Sequence, residues 1–203
     1  MKLLHACIAV VCLASCDVIE VDPGMQSFDK DFSHTNTKGG GCDGSGTAIR
    51  DSLAVNLAGP LAQFGDGACF KTLTITPTAT VTTLTTSTQA GETCTGGAKG
   101  NLTGTLFTAS FTDNKGALQT LELACDATVD LAVGQANLQT KMQTCLDANK
   151  EGLSEFIRKG MNTKKRLVDI AVAGSCSADA CFQINWKLHL DITGKLAPLG
   201  GCK

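Results

Sequence analysis

The strict alternation of residues 182–193 is the feature that most constrains the fold of this chain. Apolar and polar residues take turns over the whole stretch. A period of two is typical of a β-strand with one buried and one solvated face, as in an antiparallel sheet. We expect this strand to form a hairpin with Leu167–Ala173. The apolar set is Phe182, Ile184, Trp186, Leu188, Leu190 and Ile192, and the polar set is Gln183, Asn185, Lys187, His189, Asp191 and Thr193.

Two segments have helical periodicity. The stronger one carries an apolar stripe that ends near Gly160, a residue type well suited to terminate a helix. The weaker one has Ile49, Leu53, Leu57 and Leu61 spaced four apart, which predicts a first helix. The stripe of the stronger helix comprises Leu138, Met142, Cys145, Leu146, Asn149, Leu153, Phe156 and Ile157.

Further strands are expected between the helices. Residues 69–88 are rich in threonine, which favours strands, although Pro77 should interrupt the ladder. Residues 102–112 and 118–131 predict a hairpin around the turn 113–116. We therefore expect an α+β fold, an antiparallel sheet with two helices packed on its apolar face. A β-sandwich with one long helix is the alternative.

The N-terminus has the layout of an export signal. Lys2 precedes an apolar run over residues 3–15, which is shorter than the roughly 20 residues that cross a bilayer as a helix. Leu13-Ala14-Ser15-Cys16 resembles the lipobox of bacterial lipoproteins. The resemblance implies cleavage before Cys16 and attachment of acyl groups such as palmitate to that cysteine. It covers only the first sixteen residues, and the remainder of the chain resembles no family known to us.

The resemblance divides the chain into three parts. Residues 1–15 are the signal peptide, residues 16–41 a flexible tether rich in turn-forming residues, and residues 42–203 one globular domain. Within the tether, residues 27–33 are a candidate edge strand. The lipid anchor implies a location in the bacterial cell envelope, with the domain in the periplasm or on the cell surface. The formal net charge of −2 gives no indication of nucleic-acid binding.

The cysteines agree with export. Of 11 in the chain, Cys7 and Cys12 lie in the signal and Cys16 is the lipid acceptor, which leaves eight. An even number in an exported protein predicts a disulfide framework. Cys176 and Cys181 are predicted to bridge across a turn, while the pairing of the others stays open. Those others are Cys42, Cys69, Cys94, Cys125, Cys145 and Cys202.

No catalytic or metal-binding motif emerges. The sequence lacks a C-x2-C pair, a Walker lysine and a G-x-S-x-G elbow, so we expect neither a metal nor a cofactor. His34 falls in the predicted tether. His189 and Asp191 lie two apart on one strand, which is usual for neighbours without a catalytic role. The basic run from Arg158 to Arg166 suits either a helix C-terminus or anionic lipid headgroups.

These observations favour a non-enzymatic envelope lipoprotein that serves as a binding or structural module. Its partner would be a hydrophobic ligand between sheet and helix, or another envelope protein. The alternative is an anchored hydrolase that uses His189 and Asp191.

Overall fold

The computed structural model describes two antiparallel sheets and one long helix. It covers residues 20–36, 49–65, 67–85, 101–103, 107–123, 125, 129–130, 135–177 and 182–197. The strands are β1 (Gln26–Asn36), β2 (Ile49–Asn56), β3 (Cys69–Thr85), β4 (Asn101–Thr103), β5 (Phe107–Thr112), β6 (Leu118–Glu122), β7 (Val129–Asp130), β8 (Leu167–Ser177) and β9 (Phe182–Ala197). The helices are α1 (Ala58–Leu61), which continues into a 3₁₀ turn over Ala62–Phe64, and α2 (Gln135–Met161). The predicted α+β class is confirmed.

The first sheet has three strands in the order β1-β9-β3. The alternation predicted for β9 is present, with Ile184, Trp186, Leu188, Leu190 and Ile192 buried. Two register shifts lie in β3, between Phe70 and Thr72 and between Val81 and Thr83. The first shift makes Lys71 the extra residue of a bulge, so that Phe70 and Leu73 can both be buried.

The second sheet is built around β8. Strand β2 pairs with one stretch of it in antiparallel fashion, and β5 and β4 pair with successive parts of the same strand. The predicted hairpin around residues 113–116 is present, because β5 pairs with β6 and the Asp113 side chain accepts hydrogen bonds from the N–H groups of Lys115 and Ala117. The two sheets approach each other where Lys30 Nζ lies 3.8 Å from Asp51 Oδ1.

The core lies where α2 packs against β3, β5 and β8. Leu138, Leu146, Leu153 and Ile157 of the predicted stripe are almost completely buried. Near the end of the helix, a Cβ added at Gly160 would overlap Val168 and lie 3.1 Å from the Phe111 ring. Glycine is therefore required there by the close approach of helix and sheet. A disulfide joins Cys145 on this helix to Cys125, with Cα atoms 5.1 Å apart.

Side chains of α2 also hydrogen-bond the outer edge of β3. The Gln143 amide accepts from the Ala79 N–H at 2.9 Å and donates to the Pro77 carbonyl at 3.1 Å. Asn162 pairs in the same way with both backbone groups of Phe70, at 2.7 and 3.0 Å. Because each amide presents one donor and one acceptor, it replaces a peptide group of a neighbouring strand. The helix thereby covers an edge that another chain could otherwise extend.

This edge explains why Pro77 does not interrupt β3, contrary to the prediction. The N–H groups of Ile75 and Ala79 both point to the helix, where they donate to Ser154 and Gln143. Pro77 lies between them on the same side. The N–H that a proline lacks would have pointed to the helix at this position. Pro77 therefore removes no hydrogen bond from the ladder with β9.

The predicted first helix is wrong over most of its length. Residues 49–56 form β2, and only Ala58–Leu61 is helical. Leu53, Val55 and Leu57 are buried, whereas Ser52 and Ala54 between them are exposed. The strand alternation was present in the sequence beside the spacing of four, and pairing with β8 decides between the two.

The predicted tether boundary at residue 41 is also wrong. Val21 already forms a bridge with Leu196, and residues 26–36 pair with β9 along their whole length. The folded domain therefore includes residues 21–36. The predicted pairing of residues 167–173 with residues 182–193 is wrong as well, because β8 and β9 belong to different sheets.

Two predicted strands are shorter than expected. Within residues 102–112 the structure has β4 and β5, and within residues 118–131 it has β6 and β7. In the second sheet, β4 pairs with β7, and β5 pairs with β6.

Candidate functional site

The outer face of the first sheet carries a regular array of polar side chains. Thr72, Thr74, Thr76, Thr78 and Thr80 of β3 are all exposed on this face. Each lies opposite a polar residue of β9, in the order Lys195, Thr193, Asp191, His189 and Lys187. On the other side of β9, strand β1 adds Ser27, Asp29, Asp31 and Ser33. We call these three columns the polar face.

His189 is at the centre of the polar face and bonds to two carboxylates. Its Nδ1 lies 2.9 Å from Asp29 Oδ1, and its Nε2 lies 3.1 Å from Asp191 Oδ1. Both carboxylates have further donors. Lys187 Nζ is 2.9 Å from Asp29 Oδ1, and the Ser27 hydroxyl donates to Asp191 at 2.5 Å. The result is a chain of hydrogen bonds that crosses from β1 to β9.

These contacts favour the charged form of every titratable member. Hydrogen bonds to Asp29 and then Asp191 raise the pKa of His189. The bond from Lys187 is the main cause that lowers the pKa of Asp29, and the bond from Ser27 is the main cause that lowers the pKa of Asp191. An imidazolium ion donates from both nitrogens, so the protonated ring satisfies both carboxylates at once.

This arrangement is poorly suited to activate a nucleophile. A histidine general base needs one nitrogen lone pair directed at the hydroxyl that it deprotonates. Both His189 nitrogens are instead directed at carboxylates, and the Ser27 hydroxyl donates to Asp191 and not to the ring. The hydrogen bonds of the cluster stabilise the charged forms of these side chains on the outer face of the sheet.

The structure describes only some of the predicted site residues. His34 lies in β1 opposite Ile184, and Cys176 lies in β8 opposite Leu102. Cys125 and Cys145 are joined, and Cys69 is disulfide-bonded as well. The predicted lipidation site Cys16 lies outside the described residues, as do Cys42, Cys94, Cys181 and Cys202, so lipidation and the Cys176–Cys181 bridge remain predictions.

A second surface was predicted only as a basic run. Two adjoining pockets of about 560 and 460 Å³ open at the C-terminal end of α2, and both are lined by Asn114, Asn162 and Thr163. Lys164 borders the first and Lys159 the second. The basic run of residues 158–166 was the signal in the sequence, but its contact with the 113–117 turn depends on tertiary structure.

Within the described residues, no group of three or more His, Cys, Asp or Glu side chains is placed to hold a metal ion. The same part of the chain contains no helix both long enough and apolar enough to cross a membrane. No protein-family model, curated protein or solved structure was found to match the chain.

Proposed function

We propose that the protein is a lipid-anchored lipoprotein of the bacterial cell envelope and that it acts as a non-enzymatic binding module through its polar face. The observation that carries the binding role is the exposed array of threonine hydroxyls beside His189 and its two carboxylates. The anchor rests on the Leu13-Ala14-Ser15-Cys16 motif. Among the described residues, backbone pairing is already present at Val21, only five residues beyond that cysteine.

The polar face favours binding over catalysis. Its charges are already paired with each other, and its hydroxyls are distributed along a strand and do not converge on one point. A row of donors and acceptors on a rigid sheet can hydrogen-bond an extended polar partner without rearranging. A hydrolase would need a free base and a hydroxyl directed at it, which the His189 contacts do not provide.

A partner on the surface is favoured over a hydrophobic ligand inside. Where strands of the two sheets face each other, the space is occupied by the protein's own side chains. Trp186 stacks on Phe32 with ring centroids 4.1 Å apart and meets Phe107 edge-on at 6.1 Å. All three rings are at most 3 % exposed, so they pack against protein atoms and not against a ligand.

The anchor is tested by the intact mass of protein extracted from membranes. We expect the mass of residues 16–203 plus acyl chains, and we expect a Cys16→Ala variant to be unprocessed and unacylated. A mature wild-type protein without acyl chains would overturn the lipoprotein assignment.

The binding role is tested by photo-crosslinking in intact cells. A photoreactive amino acid replaces Thr76 on the polar face, and in a matched control it replaces Thr140, an exposed threonine on α2. We expect one reproducible adduct from position 76, lost when Asp31→Lys and Asp191→Lys change the charge of the face. Equal adducts from both positions would contradict the proposal.

A further inference from the structure

The first described residues of the chain and the C-terminal end of α2 lie at the same end of the domain. Val21 exchanges two hydrogen bonds with Leu196, at 3.0 and 2.8 Å. Leu196 is paired with Phe70, and Phe70 is bonded on its other side to Asn162, just beyond the helix. We call this region, with residues 162–166 and the turn 113–117, the anchored end.

The turn 113–117 belongs to the anchored end through one specific contact. The Asn114 side-chain oxygen accepts from the Lys164 N–H at 2.8 Å. Strands β5 and β6 run away from this turn, while β1, β3, β8, β9 and α2 all have one terminus at the same end. The opposite ends of these elements are therefore separated from it by the length of the sheets.

The chain before Val21 is too short to place this end far from a membrane. Glu20 is fixed by ion pairs with Lys71 at 2.6 Å and Lys195 at 3.2 Å. Glu20 is the fourth residue after Cys16, and a fully extended chain of four residues spans at most about 14 Å. If Cys16 carries lipid, the anchored end must lie close to the headgroups.

The anchored end is basic. Lys115, Lys159, Lys164 and Lys165 are exposed there, with Lys159 at 60 % side-chain exposure. The carboxylates described at this end are Glu20, Asp22, Asp113 and Glu155. Basic side chains outnumber them, because Lys71 and Lys195 pair with Glu20, and Arg158 and Lys159 pair with Glu155. The charge of the described residues at this end is therefore positive.

Apolar exposure is found at the same end. Among the described residues, the large hydrophobic side chains that are exposed are Met25, at 63 %, and Leu118, at 70 %. Met25 directly precedes β1, whose first residue pairs with Ile192, four residues before Leu196, and Leu118 pairs with Thr112 beside the 113–117 turn. A surface that combines lysines with exposed apolar side chains is suited to a bilayer interface, where the charges meet headgroups and the side chains meet the acyl boundary.

From the short connection, the lysines and the two apolar side chains, we infer that the anchored end lies against an anionic lipid surface and fixes the orientation of the domain on the membrane. The inference rests on the proposed lipid anchor. It deepens that proposal, because the domain then contacts the bilayer directly and the polar face runs away from it. Each lysine near an anionic surface should strengthen contact by roughly fivefold, an effect that weakens with salt.

The experiment uses the full mature protein, reconstituted into vesicles of phosphatidylcholine alone or of equal parts phosphatidylcholine and phosphatidylglycerol. Lysines are acetylated by an active ester, and each position is quantified by peptide mass spectrometry. We expect Lys164 and Lys165 to react roughly fivefold more slowly on anionic vesicles than on neutral ones. Lys141, near the other end of α2, should react at the same rate on both.

A charge-reversal pair tests the same contact by changing the protein instead of the lipid. Lys164→Glu with Lys165→Glu should restore fast acetylation of Lys115 and Lys159 on anionic vesicles, whereas the matched control Lys141→Glu with Lys150→Glu should leave them protected. If Lys164, like Lys141, reacts at the same rate on anionic and on neutral vesicles, with acyl chains present in the intact mass, the orientation is overturned and the anchor stands. A mass without acyl chains would overturn both.

Discussion

The two faces of β9 come from one run of alternating residues, but they are stabilised in different ways. On the inner face, Trp186 and its apolar neighbours are buried and contact residues of several elements. On the outer face, Lys187, His189 and Asp191 are held by pairwise contacts with β1. The inner face is stabilised by the shape and volume of its side chains, so substitutions there should cost much stability. The outer face is stabilised by charge, so its contribution to stability should depend mainly on pH.

The largest expected effect is on the inner face. Trp186→Ala removes a side chain that is 3 % exposed and stacked on Phe32, and it should lower the free energy of unfolding by about 3–5 kcal/mol. Denaturant unfolding followed by circular dichroism measures this loss. The control is Thr80→Ala on the outer face, which should change stability by about 0.5 kcal/mol or less. Similar losses for both variants would contradict the difference between the faces.

A matched pair of glycines in α2 sharpens the argument about volume. Gly160→Ala forces a methyl group against Val168 and Phe111, and we expect a loss of about 1–3 kcal/mol. Gly152 has no atom within 4 Å of an added Cβ, so Gly152→Ala should gain about 0.5–1 kcal/mol from helix propensity alone. Thermal unfolding of the two variants should shift the midpoint in opposite directions. A gain from both would show that helix and sheet separate easily at Gly160.

A substitution at the edge of β3 should cost an amount of stability between those expected for the inner and outer faces. Gln143→Leu leaves the Ala79 N–H and the Pro77 carbonyl without their helix partner, which should cost about 1–2 kcal/mol. It should also accelerate the growth of thioflavin-positive aggregates, because part of an edge strand becomes available for pairing. Thr144→Leu, at the next and exposed position of the helix, is the control. Unchanged aggregation in Gln143→Leu would mean that the amide does not protect the edge.

The smallest effect is expected on the polar face, and it depends on pH. Because the pKa of His189 is raised in the folded state, its contribution to stability is fully present below the pKa of the unfolded state, about 6.5. That contribution is lost as pH rises through the pKa of the folded state. The lowered pKa values of Asp29 and Asp191 mean that their contributions are present above about 3.9 and are lost as pH falls through the folded values.

The difference in melting temperature between the wild type and His189→Gln should therefore be largest between about pH 4 and pH 6.5 and should shrink above that range. A difference that grows towards alkaline pH would contradict the ion-paired imidazolium. Asp31→Asn is a suitable control, because this neighbour of the cluster makes no contact with His189 among the described hydrogen bonds and ion pairs.

Sequence patterns predicted the elements whose environment is local or one-sided. Helix α2 and strand β9 each have a long, regular apolar repeat, and the 113–116 turn has local side-chain bonds. The segment 49–56 could not be assigned in this way, because eight residues fit both periods and only pairing with β8 distinguishes them. Pairing between distant strands also explains why β8 and β9 do not form the hairpin that their proximity in the chain suggested.

The candidate site was predicted in part for the same reason. His189 and Asp191 are two apart on a strand, so the sequence placed them together on its polar side. Asp29 comes from a segment 160 residues away that looked like a tether, and it makes the shortest contact with the ring. Register, not composition, brings this carboxylate to His189.

The order of the elements along the chain makes the 17-residue strand β3 vulnerable while the protein is being made. Both of its neighbours follow it: α2 begins 50 residues after β3 ends, and β9 comes later still. A chain that emerges from its N-terminus therefore presents β3 with neither edge covered. The part of β3 after Pro77 is rich in threonine, uncharged and free of proline, which is the composition of a segment that pairs with copies of itself. Crowded nascent chains should thus associate through β3 first, and a chaperone that binds this stretch until α2 has formed should raise the yield of folded protein.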